Sequence, residues 1–240
     1  MSAPKRLARI AGVLYLLVGI FGGFAEGFVE PKMYVAGDAA ATAGNVVENS
    51  GLVRLGVVSD LLDATFYILV ALVFYVLFKQ VHKGAARALL VFVTLATAIT
   101  ALSAVFLFEG LQVATGAVDL GSFGTEGSNS LVLLLLDTQH YGLLTAQIFF
   151  GLWLAPLGYL AYRSGWFPKT LGVLLVVGSA CYLVDLFAAF LVPDFGRSIH
   201  AFIVIPCAIA EIWMVGYLLA IGVRTGKTVK PDERLLARMT

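Results

Sequence analysis

Six long apolar segments divide this chain of 240 residues, and they constrain its fold more than any other feature. A helix needs about 20 apolar residues to cross a hydrocarbon core about 30 Å thick. Because a bilayer offers no water to unpaired backbone groups, such segments are expected to be helices. The sequence therefore predicts an all-α integral membrane bundle of six transmembrane helices, with spans at about 10–29, 52–78, 88–108, 130–162, 170–192 and 198–223.

Composition agrees with this interpretation and narrows the function. The chain is 60% hydrophobic and 13% charged, whereas soluble domains average about 45–50% apolar and about 25% charged residues. Its formal net charge of +1 leaves no basic surface for nucleic acid, so we expect membrane lipids as partners instead. Since little sequence lies outside the spans, we predict one membrane domain, with a short surface helix in an outer loop at 30–50 and a tail at 224–240.

The distribution of lysine and arginine predicts the orientation of the bundle. Cytoplasmic flanks of membrane helices retain positive charge. Thirteen Lys and Arg residues flank one side of the predicted spans, and only Lys32, Arg54 and Arg197 flank the other. Both termini are therefore predicted to be cytoplasmic. The thirteen are Lys5, Arg6, Arg9, Lys79, Lys83, Arg87, Arg163, Lys169, Arg224, Lys227, Lys230, Arg234 and Arg238.

The most unusual stretch is 131–141, where six apolar residues lead directly into Asp137, Thr138, Gln139, His140 and Tyr141. Apolar sequence then continues to Tyr159. An ionisable side chain inside a bilayer is costly unless polar groups meet it, so it marks a functional-site hypothesis.

Other spans carry acidic residues at a similar depth. At 1.5 Å per residue, the candidate residues Asp60, Asp63, Asp137, His140 and Asp185 lie about 10 to 17 Å below the outer surface. Asp60 and Asp63 are three residues apart, as are Asp137 and His140, so each pair shares one helix face. We therefore predict that these five side chains meet in one polar cluster in the outer half of the bundle. Secondary members are Glu26, Tyr67, Gln147, Tyr182, His200 and Glu211.

These carboxylates cannot all remain ionised in a layer without Lys or Arg, so either some are protonated or a cation lies among them. An Asp-x-x-His pair with carboxylates from neighbouring helices partly matches the way helical bundles hold metals. A divalent ion bound by Asp60, Asp63, Asp137, His140 and Asp185 is one hypothesis, and zinc held by His140, His200 and an aspartate is another. A hydrogen-bond network that only fixes helix register is the alternative. Glu211 alone is as readily explained as a partner for backbone groups freed at Pro206.

Glycines 19, 23 and 27 recur every four residues in the first span. Small residues at this spacing form a flat helix face that another helix can approach closely. We interpret them as a packing surface inside the bundle.

Five segments resemble the bacterial multi-span proteins grouped as domain of unknown function 4386. They are RLARIAGVLY at 6–15, AEGFVEPK at 25–32 with GDAAATA at 37–43, RLGVVSD at 54–60, LDTQHYG at 136–142 and YRSGWFPKTLGVLL at 162–175. The resemblance covers nearly the whole chain in order and spacing. It implies a multi-pass protein of a bacterial inner membrane, and it brings no catalytic residues with it.

Three functions fit these observations. The first is a cation or metal site in an outward-opening pocket, serving binding or chemistry on a lipid-like or small apolar molecule. The second is a small proton- or cation-coupled transporter, which would be expected to form a homodimer because six spans make a small transporter. The third is a structural or assembly protein. The sequence favours no reaction, so whether the chain is an enzyme stays open.

The orientation can be tested with reporter fusions. Fusions after Asp119 and after Lys230 should report opposite sides of the membrane, because the two positions flank opposite ends of the predicted spans. Alkaline phosphatase and a fluorescent protein as reporters would measure this. Both fusions on the same side would contradict the six-span topology.

Overall fold

The computed structural model describes residues 3–118 and 121–224, and in this part of the chain each predicted span is a helix. Helix α1 (Ala3–Phe24) continues through a π-helical segment (Ala25–Val29) into α2 (Glu30–Met33). Six helical segments are long and apolar enough to cross a membrane, which confirms the predicted all-α bundle. The predicted tail lies outside the described residues, apart from Arg224. The remaining elements are α3 (Ala39–Glu48), α4 (Ser50–Phe78), α5 (Lys83–Ala114), a 3₁₀ turn (Gly121–Phe123), α6 (Gly124–Ser164), α7 (Lys169–Leu191) and α8 (Pro193–Ala220).

The six long helices form a closed ring. Helices α4, α5, α6, α7 and α8 pack against one another in chain order, and α1 lies between α8 and α4. Short connections make sequential neighbours antiparallel. We call the side with connections 79–82 and 165–168 the basic end, because most of the flanking Lys and Arg lie there. The opposite side, where α3 lies, is the capped end.

Large aromatic side chains fill the interior toward the basic end. Trp153 of α6 is almost fully buried, and its ring lies 5.3 Å from that of Tyr15, 5.0 Å from Tyr67 and 6.3 Å from Phe74. These four residues, which come from α1, α4 and α6, form what we call the aromatic layer. Phe78, Phe167 and Tyr217 continue the packing beyond it. Dense packing of these rings closes this half of the bundle among the residues that the structure describes.

Helix α3 covers part of the capped end. Asp38 caps it, with Oδ1 accepting a hydrogen bond from the Ala41 amide at 2.9 Å. Thr42 is fully buried and exchanges hydrogen bonds with the backbone of Val35. The apolar face of α3 packs mainly on α6 and α5. It therefore covers one side of the capped end and fixes the chain that leads out of α2.

Glycine allows α6 and α7 to approach unusually closely. A Cβ atom on Gly158 would lie 2.5 Å from the carbonyl oxygen of Gly172, and one on Gly172 would lie 2.8 Å from that of Gly158.

The predicted packing surface at glycines 19, 23 and 27 behaves differently. No atom lies within 4 Å of an added Cβ at these three positions. That interpretation was wrong within the described part of the chain, because this face of α1 meets open space.

Gly158→Ala should destabilise the protein by about 1–3 kcal/mol, because the added methyl group overlaps backbone atoms that cannot rotate away. Thermal unfolding in detergent would measure the change. Gly216→Ala is the matched control, since Gly216 lies in α8 with open space around it. A similar melting temperature for both variants would contradict the close helix contact.

Candidate functional site

The end of the first membrane helix pairs with the polar stretch of α6. Glu30 and Tyr34 lie four residues apart, and Asp137 and His140 three apart, so each pair projects from one helix face. The Glu30 carboxylate lies 2.6 Å from His140 Nδ1, and the Tyr34 hydroxyl donates a hydrogen bond of 2.5 Å to Asp137. The rings of Tyr34 and His140 also stack, with centroids 5.2 Å apart. Four polar side chains thus satisfy one another at this point.

Tyr34 lies just beyond the membrane-spanning part of its helix. Burial, together with the hydrogen bond to the Asp137 carboxylate, raises the pKa of this tyrosine above its ordinary value. Tyr34 therefore stays a neutral hydrogen-bond donor at physiological pH.

A second polar group forms where α6, α7 and α8 meet. Asp185 of α7 is 3% exposed. It accepts a hydrogen bond of 2.9 Å from the side-chain amide of Gln147 and lies 3.0 Å from His200 Nδ1. His200 is largely exposed at the mouth of the bundle, whereas Asp185 is not. The buried carboxylate is therefore satisfied from two neighbouring helices.

The third group lies deepest and is centred on Glu211 of α8. Its two carboxylate oxygens accept hydrogen bonds from Tyr15 at 2.6 Å and from Tyr182 at 2.9 Å. The sequence raised a role for Glu211 in satisfying backbone groups near Pro206, but its observed partners are these two hydroxyl groups. Since Tyr15 belongs to the aromatic layer, this group is the lowest point of the polar region.

Asp60 and Asp63 lie in α4, on the far side of α1 from α8. Their side chains are 3% and 7% exposed. A Cβ atom on Gly22 would lie 3.2 Å from Asp63 Oδ1, so this carboxylate faces α1 at Gly22. Each of the three groups described above is held by hydrogen bonds among its own side chains. Within residues 3–118 and 121–224, neither Asp60 nor Asp63 takes part in those bonds.

A cavity of about 520 Å³ connects the first and second groups and reaches the third. Glu26 and Glu30 lie on one wall, and Asp185 and His200 lie opposite. The floor includes Tyr182, whose hydroxyl bonds Glu211. The rest of the wall consists mainly of apolar residues, which are Leu143, Leu144, Phe150, Ala189 and Val204. This combination of few polar groups and apolar walls is typical of sites for small molecules.

The five residues predicted to form one cluster are distributed over several groups. Helix α5 lies between α4 and α6, although the rings of Tyr67 and Phe150 meet across the centre at 5.6 Å. Asp137 and His140 pair with the end of the first helix, and Asp185 pairs with α8. Asp60 and Asp63 lie on α4, next to α1. Among the described residues, no three His, Cys, Asp or Glu side chains are grouped closely enough to hold a metal ion. The proposed five-residue metal site and the zinc site therefore have no ligand set there.

Three functional residues were not found by sequence reasoning. Glu30 and Tyr34 were assigned to an outer loop, because the apolar run ends at Val29 and polar residues follow. In the structure the helix continues past Val29 through Pro31, which directly follows the π-helical segment. Tyr15 was treated as part of an apolar span. The spacing of Glu30 and Tyr34 could have shown a shared helix face.

Tyr34→Phe should destabilise the protein by about 1 kcal/mol, because it removes the hydrogen bond to Asp137 and leaves that carboxylate half-buried without its partner. Thermal unfolding would measure this. The control is Tyr141→Phe, since Tyr141 is exposed and contacts His140 through its ring. Equal stability of the two variants would contradict a stabilising role for the Tyr34 hydroxyl.

Comparison with known proteins assigns the chain to a family. A protein of Archaeoglobus fulgidus described as uncharacterized is 45% identical over 49 residues, which cover 20% of this chain and 30% of that protein. The match thus spans less than a third of the relative. No solved structure matches. The model of the family described as Domain of unknown function (DUF4386) matches residues 10–222, which is most of the chain, so this multi-pass membrane protein belongs to that family.

Proposed function

We propose that the cavity binds a small organic cation, an amine attached to an apolar group, within one leaflet of the membrane. The observation that supports this most is a cavity lined by three carboxylates, with its arginine paired to Asp194 outside the lining and its remaining walls mainly apolar. Binding or chemistry on such a molecule would be the function of the protein.

The charge of the cavity favours a cation. Its lining carries the carboxylates of Glu26, Glu30 and Asp185, and Arg197 at its rim is paired with Asp194. With the carboxylates ionised and Asp194 included, four negative charges face one arginine and two histidines. The net charge is therefore −1 with both imidazoles protonated and −3 with both neutral. Because charges interact strongly in a poorly solvated site, a cationic ligand would be stabilised there.

The shape of the cavity favours an organic cation over a metal ion. A metal needs several oxygen, nitrogen or sulfur ligands within about 2–2.6 Å. In the part of the chain that the structure describes, His140 and His200 lie in separate hydrogen-bonded groups, and no three potential ligands converge. Apolar walls such as Leu143, Phe150 and Val204 offer no ligands at all but would contact a hydrocarbon group.

The position of the cavity favours binding on one side of the membrane over transport. A path through the bundle would have to pass the aromatic layer, in which Trp153 is 1% exposed. Transport would require that layer to open. We also propose that the capped end faces outward from the inner membrane of a bacterium, supported by the positive charge at the basic end.

Hexylamine should bind to the purified protein in lipid nanodiscs more tightly than hexanol or hexanoate, since only the amine carries a positive charge. Glu26→Gln should weaken its binding about tenfold or more, because the substitution removes a charge without changing the side-chain shape. Isothermal titration calorimetry, with empty nanodiscs as the blank, would measure both effects.

Glu48→Gln is the matched control, because Glu48 is an exposed residue of α3 outside this cavity. It should leave hexylamine binding unchanged. Chelator treatment should also have no effect, and a loss of binding with chelator would support a divalent ion instead. Equal binding of the amine, alcohol and carboxylate would contradict a cation site.

A further inference from the structure

Above its contact with α8, helix α1 carries a face of glycines that meets open space. These two helices touch at the basic end, where a Cβ on Gly12 would lie 2.9 Å from Leu218 and where Tyr15 bonds Glu211. At 100° per residue, Gly19 and Gly23 lie within about 20° of Gly12 around the helix, so they continue the same face. No atom lies within 4 Å of an added Cβ at either position. The face of α1 that packs on α8 near Gly12 therefore meets open space at Gly19 and Gly23, nearer the capped end.

The contact of Tyr15 with Glu211 also sets the relative height of the two helices. They run antiparallel, so positions equally far from this contact lie at the same level. Glu26 is eleven residues beyond Tyr15, and His200 is eleven residues before Glu211, and both line the cavity. Gly23 and Val204 lie one turn lower, and Val204 also lines the cavity. The open glycine face therefore lies at the same level as residues that line the cavity.

We propose that the ligand is a membrane-dissolved, long-chain amine that enters sideways between α1 and α8, with its ammonium group in the cavity and its chain in the gap beside Gly19 and Gly23. This inference depends on the proposed function of the cavity. The acidic lining fits the head group, and an opening without side chains lets the hydrocarbon chain remain in the bilayer. A short amine does not need the gap, because it can enter from the capped end.

Filling the gap separates the two kinds of ligand. Dodecylamine should displace radiolabelled hexylamine from the wild-type protein in nanodiscs. In Gly23→Leu, displacement by dodecylamine should weaken about tenfold or more, whereas the affinity for hexylamine should change less than about twofold. Gly216→Leu is the matched control, since Gly216 also lies in a membrane helix with open space around it but outside the cavity lining. It should change neither ligand.

A wild-type measurement keeps the test decisive if Gly23→Leu impairs folding. A dodecylamine carrying a diazirine in its chain should label α1 and α8 beside the gap, around Gly23 and Val204. Labelling confined to other helices would overturn the lateral route. So would unchanged dodecylamine displacement in Gly23→Leu.

The remaining outcomes are also distinct. If hexylamine fails to bind the wild-type protein, the cation site itself is wrong, and the lateral route falls with it. If hexylamine binds but dodecylamine does not displace it, only the lateral route is wrong. Glycine at this spacing also suits helix dimerisation. Disulfide-linked dimers of Gly23→Cys would therefore show a second copy of the chain covering this face, which would overturn the proposal.

Discussion

The cost of placing ionisable groups inside a bilayer governs the arrangement of this protein. An isolated charge at membrane depth costs several kcal/mol, so each such group must meet another polar group or a water-filled space. The carboxylates of Glu30, Asp185 and Glu211 each find a histidine, amide or hydroxyl partner from another helix. Because every pair joins different helices, these contacts also fix how the helices sit around the cavity.

The π-helical segment shows how one local feature serves both packing and the site. The wider turn places Val29 against α4, where a Cβ on Gly56 would lie 2.9 Å from the valine side chain. Glu26 and Glu30 meanwhile line the cavity. π-helical turns inside α-helices are often found at functional sites, because they shift the register of the residues that follow.

The bundle could be predicted from the sequence, because the length of an apolar run is a strong physical requirement for crossing a bilayer. The candidate polar residues could also be found, since Asp137, His140 and Asp185 stand out against apolar neighbours. The hydrogen-bond partners of these residues could not be predicted from the sequence. Counting depth along each helix predicts the layer in which a residue lies, but it does not tell which helices are neighbours. The ring places α5 between α4 and α6, so Asp60 and Asp63 were grouped with residues that they do not bond.

The end of the first helix explains the other difference between the expected and observed sites. The first apolar run ends at Val29, and the polar residues that follow suggested a loop. The helix nevertheless continues to Met33. Glu30, and Tyr34 just after the helix end, form hydrogen bonds with α6 that stabilise this polar extension. Tertiary contacts of this kind routinely override local preference.

The division between a closed and an open half has a mechanical consequence. Below Glu211 the interior is packed with aromatic rings, and such packing resists small deformations. Above it the helices are joined by hydrogen bonds between single side chains, and Gly19 and Gly23 of α1 face open space. Movement during entry of the proposed ligand should therefore be concentrated at the capped end, where α1 can tilt away from α8 without disturbing the aromatic layer. Tyr15 marks the boundary, because it belongs to that layer and also bonds the deepest carboxylate of the polar region.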